Sequence, residues 1–202
     1  MSLAFDGASI DGSGYRDVAD LAQRSPGWLD TAVTVWSAYG LAVFALLMIL
    51  GWWQARRVGA AAAVTALAVP MVAALAFVLD DVLKLIVRED RPCQSLQVRT
   101  LEACPAPGDL SFPSNHAAIA AAVAVALLIV SRCLGAVACV AAVAMAASRV
   151  WVGVHYPHDV LAGLLVGALV ALASMLVVGR RSSALARRMT AAAPLRLLLT
   201  AS

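Results

Sequence analysis

Five stretches of the chain run almost unbroken through Ala, Val, Leu, Ile and Gly: residues 31–53, 59–83, 113–130, 134–152 and 160–178. A helix needs about 20 apolar residues to cross the hydrocarbon layer of a bilayer, and each stretch reaches or approaches that length. Small residues recur throughout, which suits helices packed closely in lipid. Most of the stretches hold no charge, so a water-soluble bundle made from them would lack a polar face. The pattern therefore predicts an all-α fold, a polytopic transmembrane helical bundle of about five spans. The polar intervals fall into a leading segment 1–30, a long loop 88–112, a short turn 153–158 and a tail from 179. Within the leading segment, residues 19–31 suggest a short interfacial helix with Trp28 near the headgroups.

Composition agrees with the pattern. Hydrophobic residues make up 62% of the 202 and charged residues 13%, with a mean hydropathy of +0.87. Soluble domains are closer to half apolar and a quarter charged. The positions of the arginines add an orientation. Arg56 and Arg57 follow the first stretch, Arg132 follows the third, and Arg180, Arg181, Arg187, Arg188 and Arg196 follow the fifth with no acidic residue among them. The leading segment has Asp6, Asp11, Asp17, Asp20 and Asp30 against Arg16 and Arg24. Positive charge favours the cytoplasmic side, which puts the N-terminus outside, the C-terminus inside, and both 88–112 and 153–158 outside. The expected organisation is one domain: an extracytoplasmic interfacial segment 1–30, a transmembrane core 31–178 and a basic cytoplasmic tail 179–202. The tail suits the anionic inner leaflet. The first 30 residues lack a basic start followed by an apolar run, so no cleavable signal peptide is expected. No nucleic-acid partner is expected either.

Cys93 and Cys104 fall in the outward loop, where surroundings permit oxidation. A bridge there would close a small loop and hold two span ends together, but it depends on a Cα separation that sequence does not give. Cys133 and Cys139 fall at an inner end and read as inert small residues.

The reactive side chains gather at the outer ends of the spans. The chain has three histidines, His116, His155 and His158, and a single lysine, Lys84. Ionisable groups at membrane depth are costly and usually functional. Lys84-Leu-Ile-Val-Arg88-Glu-Asp-Arg91-Pro92 leaves the second span; Lys84 and Arg91 are seven positions apart and share a face if the helix continues to Pro92. Two cations facing the same way suit a phosphate, Arg as a planar fork and Lys as a point charge. Asp80 and Asp81, one turn earlier, are placed to hold the lysine. Ser111-Phe-Pro113-Ser114-Asn115-His116 opens the third span, where free backbone N–H groups attract an anion. Ser148-Arg149 ends the fourth span, and His155 to Asp159 open the fifth. Asp159, four positions on, can reach the His155 imidazole, fixing its tautomer and leaving the other nitrogen free to attack. His158 is expected to point away from the site or to lie at headgroup level.

Together, Lys-x6-Arg-Pro, Pro-Ser-x-His and Ser-Arg-x5-His-x3-Asp resemble the signature of the type 2 phosphatidic acid phosphatase superfamily, over residues 84–159. The resemblance implies a helical bundle and phosphoryl transfer without a metal or other cofactor. It implies His155 as nucleophile through a phosphohistidine, Asp159 as its orienting carboxylate and His116 as acid and then base. Lys84, Arg91 and Arg149 would hold the phosphoryl oxygens, with Ser114 assisting. One position departs from the pattern: Asn115 stands where the family usually has Gly, and its amide could contact substrate directly. Asn tolerates unusual backbone angles next best after Gly. Together with the SPGWLDTAV stretch and the Arg149–Asp159 run, this is similar to the bacterial undecaprenyl-diphosphatase branch. The expected activity is hydrolysis of undecaprenyl diphosphate to the monophosphate at the extracytoplasmic face of a bacterial cell membrane. Three alternatives stay open: a broader phosphatase for phosphatidic acid, phosphatidylglycerol phosphate or polyprenyl phosphate; a phosphotransferase; and a non-catalytic lipid-phosphate binder or transporter. The intact set of histidines and cations argues against the last.

Overall fold

In the computed structural model, which describes residues 7–191 and 197–200, the chain is helical with no strand among the described residues. The elements are α1 (Ala8–Arg24), α2 (Gly27–Tyr39), α3 (Leu41–Val58), α4 (Ala60–Val87), α5 (Pro92–Ser95), α6 (Asn115–Val130), α7 (Arg132–Trp151) and α8 (Pro157–Ala191). Four of these, α3, α4, α7 and α8, are long and apolar enough to cross a membrane. The third predicted span is α6, with 16 residues and roughly 24 Å of rise at 1.5 Å per residue. Its short length is matched by its position: α6 is the central helix, packed on α4, α7 and α8. Leucines 161, 165, 169, 172 and 176 form an exposed stripe on α8, the surface a lipid-facing helix presents. The chain is a multi-pass membrane protein.

Small residues decide how closely the central helices meet. Ala117, Ala118, Ala120, Ala121, Ala122, Ala124 and Ala126 of α6 are all buried. Gly163 and Gly167 of α8 face them; a Cβ at Gly163 would sit 2.5 Å from the Ser114 carbonyl, and one at Gly167 would collide with the Ala118 carbonyl. This small-xxx-small contact lets backbones approach where side chains would hold them apart. It also sets the start of α8, with Asp159, against the start of α6, with Ser114 and His116.

Several boundaries differ from expectation for identifiable reasons. The expected helix over 19–31 is two helices, because Pro26 forces Ser25 into an extended conformation (φ −77°, ψ 157°). The first stretch, 31–53, is also divided: α2 ends at Tyr39 and α3 begins at Leu41, with Gly40 packed against Met145. This lets α2 lie on α7 while α3 lies on α4. The second span stops at Arg88, which adopts a left-handed conformation (φ 56°, ψ 46°). Pro92 does not end that helix; it opens α5 as its first residue. The fifth stretch continues past 178, as α8 runs to Ala191 with Arg180, Arg181, Arg187 and Arg188 in its extension. Leu199 then packs on Ala63, Val64 and Ala186, with Trp52 Nε1 donating to Leu198 O at 2.9 Å. Asp6 and Arg196 lie outside the described residues. Cys93 and Cys104 form a disulfide across the 88–112 loop, with Cα atoms 6.0 Å apart, whereas Cys133 and Cys139 are free.

Candidate active site

Antiparallel helices bring four ends to one pole of the bundle: the C-terminal ends of α4 and α7 and the N-terminal ends of α6 and α8. The basic ends, around Arg56, Arg57, Arg132 and the extension of α8, lie at the other pole. The residues singled out by the three sequence clusters therefore meet.

His155 lies in the tight connection between α7 and α8 and is only 2% exposed. Its Nδ1 is 3.2 Å from Asp159 Oδ2, and its Nε2 is 3.3 Å from Arg91 Nη1. The i to i+4 spacing works because α8 begins at Pro157, so the first turn carries Asp159 back under the ring. Asp159 is fully buried. Its Oδ2 also accepts from the Tyr156 backbone N–H at 2.8 Å and from the Ser111 hydroxyl. Burial, followed by Arg91, Arg149 and Lys84 nearby, holds the His155 imidazole well below the usual histidine range. The ring is therefore neutral near pH 7, with a lone pair available.

Arg91 arrives by another route than the helix face anticipated. Beyond the left-handed Arg88, the chain turns across the pole, and Arg91 Nη1 donates to Val154 O at 2.8 Å while Nη2 pairs with Asp109 at 2.9 Å. Arg149, at the end of α7, donates to Ser37 Oγ and pairs with Glu102 at 3.2 Å. Both guanidinium groups thus rest on carboxylates of the 88–112 loop. Lys84 is held differently: its ammonium donates to the carbonyls of Leu110, Ser111 and Pro113, which uses three N–H donors. It anchors the segment leading into α6, in which the Phe112–Pro113 bond is cis.

The expectation that Asp80 and Asp81 hold Lys84 by a direct bond is corrected. Asp81 accepts from the Asn115 amide at 3.1 Å, and both Asp80 oxygens are buried without a hydrogen-bond partner among the described residues. Lys84 reaches carbonyls because the loop descends onto its ammonium, leaving Asp80 a neighbour only. Ser114 caps α6 by position, but its buried hydroxyl has no partner among the described residues. Its backbone N–H donates to Asp159 O at 3.1 Å. His116, half-buried in the first turn of α6, is near enough to His155, Arg149, Arg91 and Lys84 to feel their charge.

His158, in the first turn of α8, is half-buried. Its ring is stacked between Phe112 and Tyr156, with centroids 5.8 Å and 5.4 Å away. Nδ1 is 2.8 Å from Asp11 and Nε2 is 3.0 Å from Glu89. Ser111, Asp109 and Glu102 were not anticipated as partners, nor were Ser37 and Asp11. Ser111 could have been found, because it opens the Ser-Phe-Pro-Ser-Asn-His cluster; the others have no local signal.

The family model of the PAP2 superfamily matches residues 63–183. Undecaprenyl-diphosphatase BcrC of Bacillus subtilis is 31% identical over 146 residues, spanning 70% of this chain and 71% of that protein. An undecaprenyl-diphosphatase of Sulfolobus acidocaldarius is 38% identical over 102 residues, 50% of this chain and 49% of its own length. In fold, the chain is similar to the crystal structure of a transmembrane PAP2-type phosphatidylglycerolphosphate phosphatase from Bacillus subtilis. The TM-score is 0.60 at 21% identity, covering 88% of this chain and 87% of the other.

Proposed function

The chain belongs to the PAP2 superfamily and is a membrane lipid phosphatase, and on that footing we propose that it hydrolyses undecaprenyl diphosphate to undecaprenyl phosphate through a phosphohistidine on His155. One observation carries the reaction: the His155 ring has a carboxylate at Nδ1 and a guanidinium beside Nε2. Nε2 is the nitrogen left to attack, and the phosphorus it attacks would bring its oxygens against Arg91. The substrate rests on the undecaprenyl-diphosphatase relatives.

In the first step Nε2 forms a bond to the terminal phosphorus while the bridging P–O bond breaks. His116 gives a proton to the departing lipid phosphate oxygen. Asp159 stabilises the positive ring that results, as the carboxylate of a catalytic triad does. In the second step His116 takes a proton from water, the water oxygen bonds to phosphorus, and the P–N bond breaks to release inorganic phosphate. Charge grows on the equatorial oxygens in both steps, and donors already fixed there lower the barrier. Arg91 and Arg149 supply them, with the Ser114 hydroxyl and the Asn115 amide at the start of α6. Substrate oxygens take the places now filled by Asp109 and Glu102, whose side chains are 51% and 37% exposed. Lys84 adds positive charge while holding residues 110–113.

Three cations supply the positive charge that a metal provides in other phosphatases, so the reaction needs no metal. The basic residues at the opposite pole favour an extracytoplasmic site. The 31–178 core and the segments before and after it act as one domain.

The test is phosphate release by the detergent-purified full chain with EDTA present, on undecaprenyl diphosphate and on phosphatidic acid, with His155→Ala as control. Preference for the diphosphate, lost in the variant, is the expected outcome. Preference for phosphatidic acid would discard the substrate and keep the mechanism. Activity that survives His155→Ala would sink the mechanism.

A further inference from the structure

The first turn of α8 carries a second imidazole with surroundings of its own. Asp11 binds His158 twice: Oδ2 accepts the backbone N–H at 2.7 Å and Oδ1 faces ring Nδ1 at 2.8 Å. On the other side of the ring, Nε2 faces both Glu89 oxygens at 3.0 and 3.2 Å, and it lies at ion-pair distance, 3.4 Å, from Asp159 Oδ1, a buried oxygen with no hydrogen-bond partner among the described residues. With carboxylate oxygens at both nitrogens, the ring meets them as a double donor. Asp159 therefore stands between two histidines, Oδ2 toward His155 and Oδ1 toward His158.

Two features indicate that this contact is built in. Helix α1 is interrupted at Asp11 itself, which leaves helical geometry (φ −140°, ψ 26°). Glu89 is fully buried, and a Cβ on Gly7 would collide with its carboxylate. Tyr15, also on α1, donates to Gly153 O at 2.9 Å in the connection between α7 and α8. The N-terminal helix is thus fastened to the turn that carries His155.

We propose that His158 is a positioning residue: held by Asp11 of α1 and by Glu89, it fixes the Asp159 carboxylate and so the orientation of the His155 ring. This rests on His155 as the nucleophile. His158 touches no substrate; it acts through Asp159, whose Oδ2 is held by the Tyr156 N–H and the Ser111 hydroxyl and whose Oδ1 has the His158 ring as its charged neighbour. The N-terminal helix, outside the matched family region, becomes part of the catalytic assembly by this path.

The test is a double-mutant cycle on the detergent-solubilised full chain, with undecaprenyl diphosphate and phosphatidic acid as substrates. In the parent background, His158→Asn is expected to lower kcat about tenfold while KM changes less than about threefold. In an Asp159→Asn background, measured at high enzyme concentration, the same substitution is expected to lower kcat no further, because groups that act through one another are not additive. Equal losses in both backgrounds would overturn the proposal, and so would a KM change with kcat intact. Glu89, His158 and Asp159 each offer an atom within 4.8 Å of the others, a spacing that also suits a divalent ion. Activity abolished by EDTA and restored by a divalent cation would therefore overturn it too. If His158→Asn does not fold, Asp11→Asn gives the same cycle from a partly exposed side chain. A His155→Ala protein that still releases phosphate would remove the site assignment itself, whereas additive losses remove only the positioning role.

Discussion

The two sides of the α7–α8 connection differ in charge. Around His155 stand Arg91, Arg149 and Lys84; around His158 stand Asp11, Glu89 and Asp159. The two imidazoles are three residues apart in one short motif, yet one has a nitrogen free toward cations and the other has carboxylates at both. A phosphate is drawn to the first side and repelled from the second. On the proposed mechanism the residue type alone does not make a nucleophile; the sign of the surrounding charge does, and Asp159 is the wall between the two.

The comparison breaks most severely if the cationic side loses its fork. Arg91→Ala is expected to lower kcat/KM by about 10³, the upper range for removing one donor from a site of developing charge. Arg91→Lys should recover only part, because a point charge does not replace a planar fork. A second readout follows from the charge itself. Burial comes first among the causes that lower the His155 pKa and Arg91 comes next, so removing the guanidinium lets the pKa rise. A nucleophile is lost by protonation as pH falls, so the acid limb of the kcat/KM profile should move to higher pH in Arg91→Ala. An unmoved limb would mean that another group sets it.

Both sides hang from the α6–α8 crossing, and disturbing it should degrade them together. In Gly167→Ala the added methyl meets the Ala118 carbonyl, backbone that cannot step aside cheaply. Forcing bulk into a packed core costs about 1–3 kcal/mol. The expected result is a lower thermal midpoint in detergent, with phosphate release reduced about tenfold at most. The proportional effect of His158→Asn should be unchanged on this background. A change in that proportion would mean that the crossing, rather than the carboxylate network, sets Asp159.

The sequence made some of this legible and hid the rest for physical reasons. Spans were legible because lipid demands unbroken apolar runs, and the gathering of His116, His155 and Lys84 at one pole was legible because all three fell at the same ends. The division at Gly40 was hidden, since a glycine in an apolar run is compatible with one continuous helix. The extension of α8 to Ala191 was hidden because arginines are good helix formers that carry no stop signal. The route of Arg91 was misread because Lys84-x6-Arg91 matches helical spacing even though the helix stops at Arg88. The partnership of Asp11 with His158 spans 147 residues, and the aspartates of the leading segment look alike in sequence. Only the packing of α1 singles one out.

The smallest expected effect separates the two sides most cleanly. Glu102, 37% exposed, lies 3.2 Å from Arg149 and 3.4 Å from Ser37, where a phosphate oxygen would also be welcome. A partly exposed pair of this kind stabilises by only about 0.2–1 kcal/mol. Glu102→Gln is therefore expected to lower KM by up to about threefold and to leave kcat unchanged, because the guanidinium no longer has to give up a charged partner before binding substrate. Glu89 offers the contrast: its carboxylate is fully buried, and no substrate can displace it. On the proposed mechanism the loop carboxylates on the cationic side are placeholders that substrate replaces, while those on the anionic side stay through the whole cycle. A fall in kcat for Glu102→Gln would break that distinction, since it would make the loop carboxylate a lasting part of the arginine's geometry.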